Sequence, residues 1–228
     1  MDPFILLLLI GFPIASQAVA STLRRRFVTH SREPMPMTGA EIAMRMLSDN
    51  QIYDVQVIPT RGQLTDHYNP ANKTIALSEV VYSQANVAAC AVAAHECGHA
   101  VQDATGYPLL TLRTKMVPLL KLSNVALPLI AFGGAGAFAS QGANVMAYGL
   151  LGLLAMPTLF SLITLPVEFN ASRRALNWME DSGIVSDVKH DSAQNALWWA
   201  AMTYVIAALG SLAQVLYFAK YLLAGTRR

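Results

Sequence analysis

Three long stretches of this 228-residue chain contain no Asp, Glu, Lys or Arg, and they constrain its fold more than any other feature. They cover residues 3–23, 122–167 and 192–219, with lengths of 21, 46 and 28 residues. A helix that crosses a membrane needs about 20 apolar residues, so the first and last stretches hold one helix each and the middle stretch holds two. A turn at 140–144 is expected between the middle pair. The sequence therefore predicts four spans, at about 4–23, 118–139, 145–166 and 196–219.

The overall composition agrees with a membrane protein and argues against two other classes. Hydrophobic residues make up 54% of the chain and charged residues 13%, whereas a soluble domain has about 25% charged residues. This composition excludes a disordered chain, and the net charge of +2 gives no electrostatic footprint for nucleic acid. Cys90 and Cys97 are seven residues apart in a predicted helix, so their Cα atoms would lie about 10 Å apart, too far for a disulfide.

The first apolar segment has two interpretations. The small residues at 18–20 resemble a signal-peptide cleavage site, which would make the segment a cleaved leader. The residues that precede the apolar run include no basic residue, whereas Arg24, Arg25 and Arg26 follow the run. That order favours a retained anchor with its N-terminus outside the cell.

The distribution of basic residues predicts the orientation of the chain. Four spans would place 24–121 and 168–191 on one side, and these ranges hold thirteen of the sixteen Lys and Arg residues. The positive-inside rule puts that side in the cytoplasm, so we expect a multi-pass protein of the bacterial cytoplasmic (inner) membrane. The basic tail at 220–228 does not fit this topology. Either the tail is tolerated on the outside, or the last apolar segment does not fully cross.

A soluble insert of about a hundred residues separates the first two spans. The capping-box spacing of Thr38 and Glu41 predicts a helix over about 39–50. Runs of strand-forming residues and the turn at 69–73 predict three strands, followed by a long Ala-rich helix. Because alanine and glycine leave little side chain on the surface of this long helix, another element must pack very close to it. The predicted strands and long helix cover 55–59, 64–68, 74–77 and about 84–104.

The long helix contains the sequence His-Glu-Cys-Gly-His at 95–99, an HExxH pattern. His95 and His99 share one helix face, so both imidazoles reach one metal ion while Glu96 faces a water on that ion. The alternative is two surface histidines on an amphipathic helix. The alanine-rich surroundings argue against it, because a buried helix has little other reason to carry three adjacent polar side chains.

Two histidines leave a catalytic zinc site one protein ligand short. Glu168 is the best candidate for the third ligand, because it ends the 46-residue uncharged stretch and lies on the same side as His99 after two crossings. Alternatively, Glu168 pairs with Arg173 or Arg174 at the interface. Asp103 lies one turn beyond His99, and it either accepts an imidazole N–H or is a solvated charge near the helix end.

Three segments together resemble one known family. Residues 62–68, 93–102 and 164–172 look like the YugP-like family of bacterial membrane neutral zinc metallopeptidases, in order and with similar spacing across nearly the whole chain. The chain is more distantly similar to gluzincin membrane proteases, whose third ligand is a Glu in a Glu-x-x-Ala-Asp context. Ser172 stands here where those proteases have the Asp. The resemblance implies a zinc-dependent peptidase with His95, His99 and Glu168 as ligands.

We therefore predict a zinc metalloendopeptidase in which Glu96 is the general base. Its partners would be the lipid bilayer and peptide or membrane-protein substrates, with no nucleic acid. An extended substrate peptide would add to an exposed sheet edge, and we assign this edge to the segment that contains Leu64, Thr65 and Asp66. A second donor to the reacting carbonyl oxygen is useful in such sites. Five residues are candidates by type, namely His67, Tyr68, Tyr107, Arg173 and Arg174.

Two other functions, and another choice of metal, compete with this interpretation. A non-catalytic membrane scaffold or adaptor would use a structural zinc with no open position, whereas only three protein ligands are visible in the sequence. A transporter or channel needs ionisable groups inside the spans, which contain essentially none. Another metal is also possible, but two imidazoles and one carboxylate suit zinc best among the common ions.

The expected fold is an α+β membrane protein. It combines four transmembrane helices with a cytoplasmic zincin-like insert of helix, three-stranded sheet and HExxH helix. We divide the chain into five segments: 1–23, the first span; 24–117, the cytoplasmic metalloprotease insert; 118–167, the second and third spans; 168–195, the cytoplasmic segment with the third ligand; and 196–228, the fourth span and the tail.

Overall fold

The computed structural model describes residues 2–133 and 143–225, which are mostly helical with one small three-stranded sheet. A short π-helical turn at Leu7–Gly11 connects the first two helices. The helices are α1 (Pro3–Leu6), α2 (Phe12–His30), α3 (Gly39–Asp49), α4 (Glu79–Ser83), α5 (Val87–Ala104), α6 (Pro108–Gly133), α7 (Ala143–Asp181) and α8 (Asp187–Gly225). The strands are β1 (Gln56–Thr60), β2 (His67–Asn69) and β3 (Thr74–Ser78).

Helix α3 begins where the sequence predicts. Both halves of the capping box form, because Thr38 Oγ1 accepts the Glu41 N–H and the Glu41 carboxylate accepts the Thr38 N–H at 2.7 Å. The apolar face of α3 carries Ile42 and Met46, which are at most 1% exposed. They belong to one buried cluster with Ile75 of the sheet and with the alanines of α5. This cluster holds the sheet and the HExxH helix together by burial of apolar surface.

The sheet has the order β1-β3-β2, with β1 parallel and β2 antiparallel to β3. All three strands lie near the predicted positions, but β2 covers only His67–Asn69 instead of 64–68. Leu64 has a positive φ of 56°, which no residue of a regular strand adopts. The predicted second strand is therefore mostly a loop that leads into β2.

The predicted long helix corresponds to α5, and a separate short helix, α4, precedes the predicted range. Helix α4 ends at Ser83, and α5 begins at Val87 after Asn86, whose side chain accepts the Ala89 N–H at 2.9 Å. An asparagine in this position supplies a partner to an N–H that has none inside the helix, so it starts α5 later than the sequence analysis predicts. Cys90 and Cys97 are both buried free thiols in the structure.

Three helices among the described residues are long and apolar enough to cross a membrane, namely Pro3–His30, Tyr148–Asp181 and Asp187–Lys220. They correspond to the first, third and fourth predicted spans. The second predicted span, 118–139, overlaps α6, but its last part lies outside the described residues. The predicted turn at 140–144 also lies largely outside them. A count of four spans therefore stays a prediction.

The chain divides into two compact units. One contains Met1–Ala18, Leu112–Leu165 and Thr203–Arg228, and the other contains Val19–Thr111 and Pro166–Met202. All residues of the candidate site belong to the second unit.

Candidate metal centre

Helix α5 forms the floor of the candidate site, and its small residues let another helix approach closely. Ala88, Ala89 and Ala91 are completely buried. A Cβ atom added to Gly98 would lie 2.5 Å from the carbonyl oxygen of Ala171 in α7. Only glycine fits between these two backbones. At Gly98 the close neighbour expected for the bare helix is therefore α7, in the turn that follows Glu168.

The three proposed metal ligands come together in the structure. The Oε2 atom of Glu168 lies 3.2 Å from Nε2 of His95 and 3.6 Å from Nε2 of His99. One ligand atom from each of the three residues can be chosen so that all lie within 4.8 Å of one another. In a tetrahedral zinc site with bonds of about 2.0–2.1 Å, ligand atoms stand about 3.3 Å apart. The spacing of these three residues therefore fits a zinc ion.

Burial also favours a cation at this position. Glu168 is only 2% exposed and His99 only 6% exposed. A carboxylate is costly to bury unless it is paired with a positive charge or bound to a metal. The Glu168 carboxylate faces the two imidazoles, whereas the Arg174 guanidinium donates its Nε–H to Asn170 Oδ1 at 2.9 Å. These contacts favour the ligand role over the alternative interfacial pair with Arg174.

Hydrogen-bond partners on the far side of each imidazole orient the two rings. Nδ1 of His95 lies 3.0 Å from Ser172 Oγ, and Nδ1 of His99 lies 3.0 Å from Gln102 Oε1. Both rings therefore direct Nε2 towards Glu168. Sequence reasoning did not single out Gln102. The signal was available, because Gln102 is a polar residue one turn after His99 on a largely buried helix.

Asp103 does not have the role first suggested for it. Its Oδ2 atom accepts hydrogen bonds from the Tyr68 hydroxyl at 2.8 Å and from Lys73 Nζ at 2.6 Å, and Gln102 is the partner of His99 instead. The hydrogen bond to Asp103 raises the pKa of Lys73, and burial together with the same carboxylate raises the pKa of Tyr68. Asp103 thus connects the end of α5 to β2 and to the turn before β3.

Glu96 lies beside the ligands and contacts the sheet. Its Oε2 atom accepts the backbone N–H of Tyr68 at 2.9 Å, and the residue is 8% exposed. Burial raises the pKa of Glu96 to about 7, and the negative charges of Glu168 and Asp66 act in the same direction. A carboxyl group with a pKa near neutrality takes up and releases protons readily. This environment is the one expected of a general base.

Comparisons with known proteins agree with this geometry. The sequence profile of the family described as "Putative neutral zinc metallopeptidase" matches residues 4–223. The chain belongs to this family. It is also 42% identical over 188 residues to "Putative membrane protease YugP" of Bacillus subtilis (strain 168). The matched region covers 82% of each of the two chains. No solved structure matches it.

Membership of this zinc metallopeptidase family confirms the resemblance seen in the sequence and identifies the cofactor as zinc. His95, His99 and Glu168 are the group in the described residues with suitable donors for it. The apolar helices and the membrane protease among its relatives make this family member a membrane protein.

The residues predicted to bind substrate lie in the loop before β2. Leu64 is 52% exposed, and Thr65 is also exposed. The Asp66 carboxylate accepts the backbone N–H of Ser78 at 2.7 Å and also bonds its hydroxyl. Asp66 thus fixes the loop against the end of β3. A substrate contact by these residues stays a prediction.

The five candidate oxyanion donors fall into different environments. The Tyr68 hydroxyl is engaged by Asp103, and Arg174 is engaged by Asn170. His67 is exposed, and its Nδ1 lies 2.8 Å from the carbonyl oxygen of Thr65. The other two are Tyr107, directly before α6, and Arg173, which lines a groove between α7 and α8.

Proposed function

We propose that this protein is a zinc-dependent endopeptidase of the bacterial cytoplasmic membrane that cleaves membrane proteins or their cytoplasmic segments. The observation that carries the proposal is the convergence of His95, His99 and Glu168 beside the buried carboxylate of Glu96. Three protein ligands leave one position for water or substrate, which is typical of catalytic zinc.

Each residue has a distinct part in this mechanism. His95, His99 and Glu168 would hold a zinc ion, which would supply polarisation of the scissile carbonyl and acidification of a water molecule. Glu96 would take a proton from the attacking water and later deliver it to the leaving amine. The hydrogen bond from the Tyr68 N–H keeps the Glu96 carboxylate in place.

The competing function is a membrane scaffold whose zinc is structural. A structural zinc site normally has four protein ligands, whereas the metal-binding group in the described chain has three. A scaffold also gives no reason to bury Glu96 beside the ligands without using it as a ligand. These two observations favour the peptidase.

The edge of β2 is the best surface for an extended substrate. Because the Tyr68 N–H donates to Glu96, it points away from β3, so the outer edge of β2 faces the proposed base and its N–H at Tyr68 is already engaged there. A peptide that adds to this edge would lie along the proposed base. The exposed residues Leu64 and Thr65 precede this edge in the chain and would extend the contact.

The opposite edge of the sheet, on β1, is less suited to a peptide, because β3 and β2 separate it from the Tyr68 N–H that meets Glu96. The Gln56 N–H donates to the Lys73 carbonyl, so alternation directs the backbone groups of Val57 and Pro59 outwards from β1. Proline has no N–H, and this outer edge therefore loses a donor at Pro59. A proline in an edge strand protects that edge against pairing.

The proposed membrane arrangement follows the charge distribution. Four spans with the basic ranges 24–121 and 168–191 in the cytoplasm would put His95 and Glu168 on the same, cytoplasmic side. We keep the five segments 1–23, 24–117, 118–167, 168–195 and 196–228 as the proposed organisation of the chain.

Metal analysis combined with a protease assay tests the function directly. Purified full-length protein should contain zinc and cleave a peptide or membrane-protein substrate, and chelation should abolish cleavage. A zinc-loaded protein that cleaves no substrate, together with a Glu96→Gln form that is indistinguishable from it, would favour the scaffold.

A further inference from the structure

The donor and acceptor of each hydrogen bond around Gln102 can be deduced, because some of the partners can only donate and others can only accept. Gln102 is fully buried, with 0% exposure. One atom of its amide lies 2.8 Å from the carbonyl oxygen of Val167. A backbone carbonyl only accepts hydrogen bonds, so this amide atom is Nε2. Gln102 Oε1 therefore faces His99.

A second hydrogen-bond partner, Asn170, gives the same assignment of the Gln102 amide nitrogen. Arg174 Nε–H lies 2.9 Å from the Asn170 amide, and because a guanidinium only donates, the atom it meets is Asn170 Oδ1. The same Oδ1 lies 2.9 Å from the Gln102 amide, which must donate to it through Nε2. Both hydrogens of the Gln102 amide are thus directed to α7.

This arrangement determines which nitrogen of His99 carries the proton. Gln102 Oε1 only accepts, and it lies 3.0 Å from His99 Nδ1, so Nδ1 must be protonated to form the bond. In a neutral imidazole, Nε2 is then an unprotonated acceptor. This Nε2 atom is the one that lies 3.6 Å from the Glu168 carboxylate.

We propose that Gln102 is a positioning residue that fixes the tautomer and ring orientation of His99. Its own amide donates to Val167 and Asn170, and Asn170 is held in turn by Arg174. This inference rests on the proposed zinc site. A carboxylate often has this role beside a zinc-binding histidine. Here the partner is a neutral amide, and its other end ties the HExxH helix to the turn of α7 that carries Glu168.

Two substitutions of Gln102 separate positioning from simple helix packing. Gln102→Met fills the same space but removes the acceptor, so zinc affinity should fall by about 10–100-fold. Gln102→Glu keeps an acceptor for the His99 N–H and loses the donors to α7, so zinc affinity should stay at or above wild type although the protein unfolds at lower temperature. If packing alone mattered, Gln102→Glu would weaken zinc at least as much as Gln102→Met.

The measurement is a chelator competition on full-length protein in detergent, with thermal unfolding of each variant followed in parallel. Gln56→Met is the matched control, because Gln56 is exposed on β1 and its replacement should leave zinc affinity unchanged. Unchanged affinity in Gln102→Met, or a larger loss in Gln102→Glu than in Gln102→Met, would overturn the inference.

A measurement on the wild type keeps the test decisive if a variant fails to fold. Nitrogen-15 NMR of zinc-loaded protein with labelled histidine should show His99 with a protonated Nδ1 and a metal-bound Nε2. A metal-bound Nδ1 would contradict the inference. Failure of wild-type protein to bind zinc would instead contradict the proposed function, so the two failures are distinguishable.

Discussion

Gly98 of α5 and Ala171 of α7 lie so close that a Cβ atom on Gly98 would stand 2.5 Å from the Ala171 carbonyl oxygen. Gly98 directly precedes His99, and Ala171 follows Glu168 by three residues, so the contact lies next to two of the proposed ligands. The distance between the two helices, and with it the position of Glu168 relative to His95 and His99, depends on the missing side chain of Gly98.

Gly98→Ala should therefore damage the site without replacing any of its functional groups. The added methyl group meets rigid backbone, so α7 must shift, at a cost of about 1–3 kcal/mol in the free energy of unfolding. A misplacement of about 1 Å typically lowers catalytic activity by about 10²-fold. Denaturant unfolding and peptide cleavage measure the two effects. Gly152→Ala in α7 is the control, because a Cβ there meets nothing within 4 Å, and it should be neutral or slightly stabilising.

Glu96→Gln should retain zinc and fold but lose peptide cleavage by about 10²–10⁴-fold. The substitution preserves the shape of the side chain and removes the proton acceptor without touching a proposed ligand. Zinc content and cleavage rate are compared with those of Glu79→Gln, a control at an exposed glutamate of α4 that should match wild type. Undiminished cleavage by zinc-loaded Glu96→Gln would rule out the proposed base.

Glu168→Ala should lower zinc affinity by more than about 100-fold, because it removes an anionic ligand and leaves two imidazoles. Ser172→Ala removes only the partner of His95 Nδ1 and should have a smaller effect, within the roughly 10–100-fold seen for groups that orient a ligand. Chelator titration of both variants measures the difference. Full zinc retention by Glu168→Ala would exclude Glu168 as the third ligand.

A photo-crosslinking amino acid at Leu64 should capture a bound substrate peptide if the peptide adds to the β2 edge. The Glu96→Gln background is used so that the peptide is not cleaved. Ile58 of β1 is the matched control, because it is a similarly sized and exposed side chain, 40% against 52%, on the opposite strand of the sheet. Stronger crosslinking from Ile58 than from Leu64 would place the substrate on the wrong edge for this proposal.

A cysteine at Asn72 should not react with a membrane-impermeant thiol reagent added to intact cells, because the insert is proposed to be cytoplasmic. The native Cys90 and Cys97 are buried and should give little background. Gln141→Cys, in the turn predicted outside, is the positive control, and Arg227→Cys reports the side of the basic tail. Labelling at residue 72 but not at 141 would reverse the topology.

The sequence was informative wherever a local rule operates. The capping box at Thr38, the shared helix face of His95 and His99 and the bare surface of α5 all follow from neighbouring residues along the chain. Local rules were less reliable at boundaries, because the Asn86 cap starts α5 late and the positive φ of Leu64 ends the predicted second strand.

Asp103 and Gln102 show where prediction along the chain reaches its limit. Both lie within a turn of His99, and nothing in the sequence tells which one turns towards its imidazole. The choice depends on residues distant in sequence: Tyr68 and Lys73 engage Asp103, whereas α7 engages Gln102.

The sequence by itself determined the zinc chemistry and the membrane character and pointed to the three proposed donors, because each depends on residue type and on spacing along one helix or one apolar run. Only the tertiary structure decided which groups orient the histidines and which sheet edge faces Glu96. These relationships join α5 to β2 and to α7 across 28 to 77 positions of sequence. Contacts over such separations depend on how the elements pack, which no local pattern specifies.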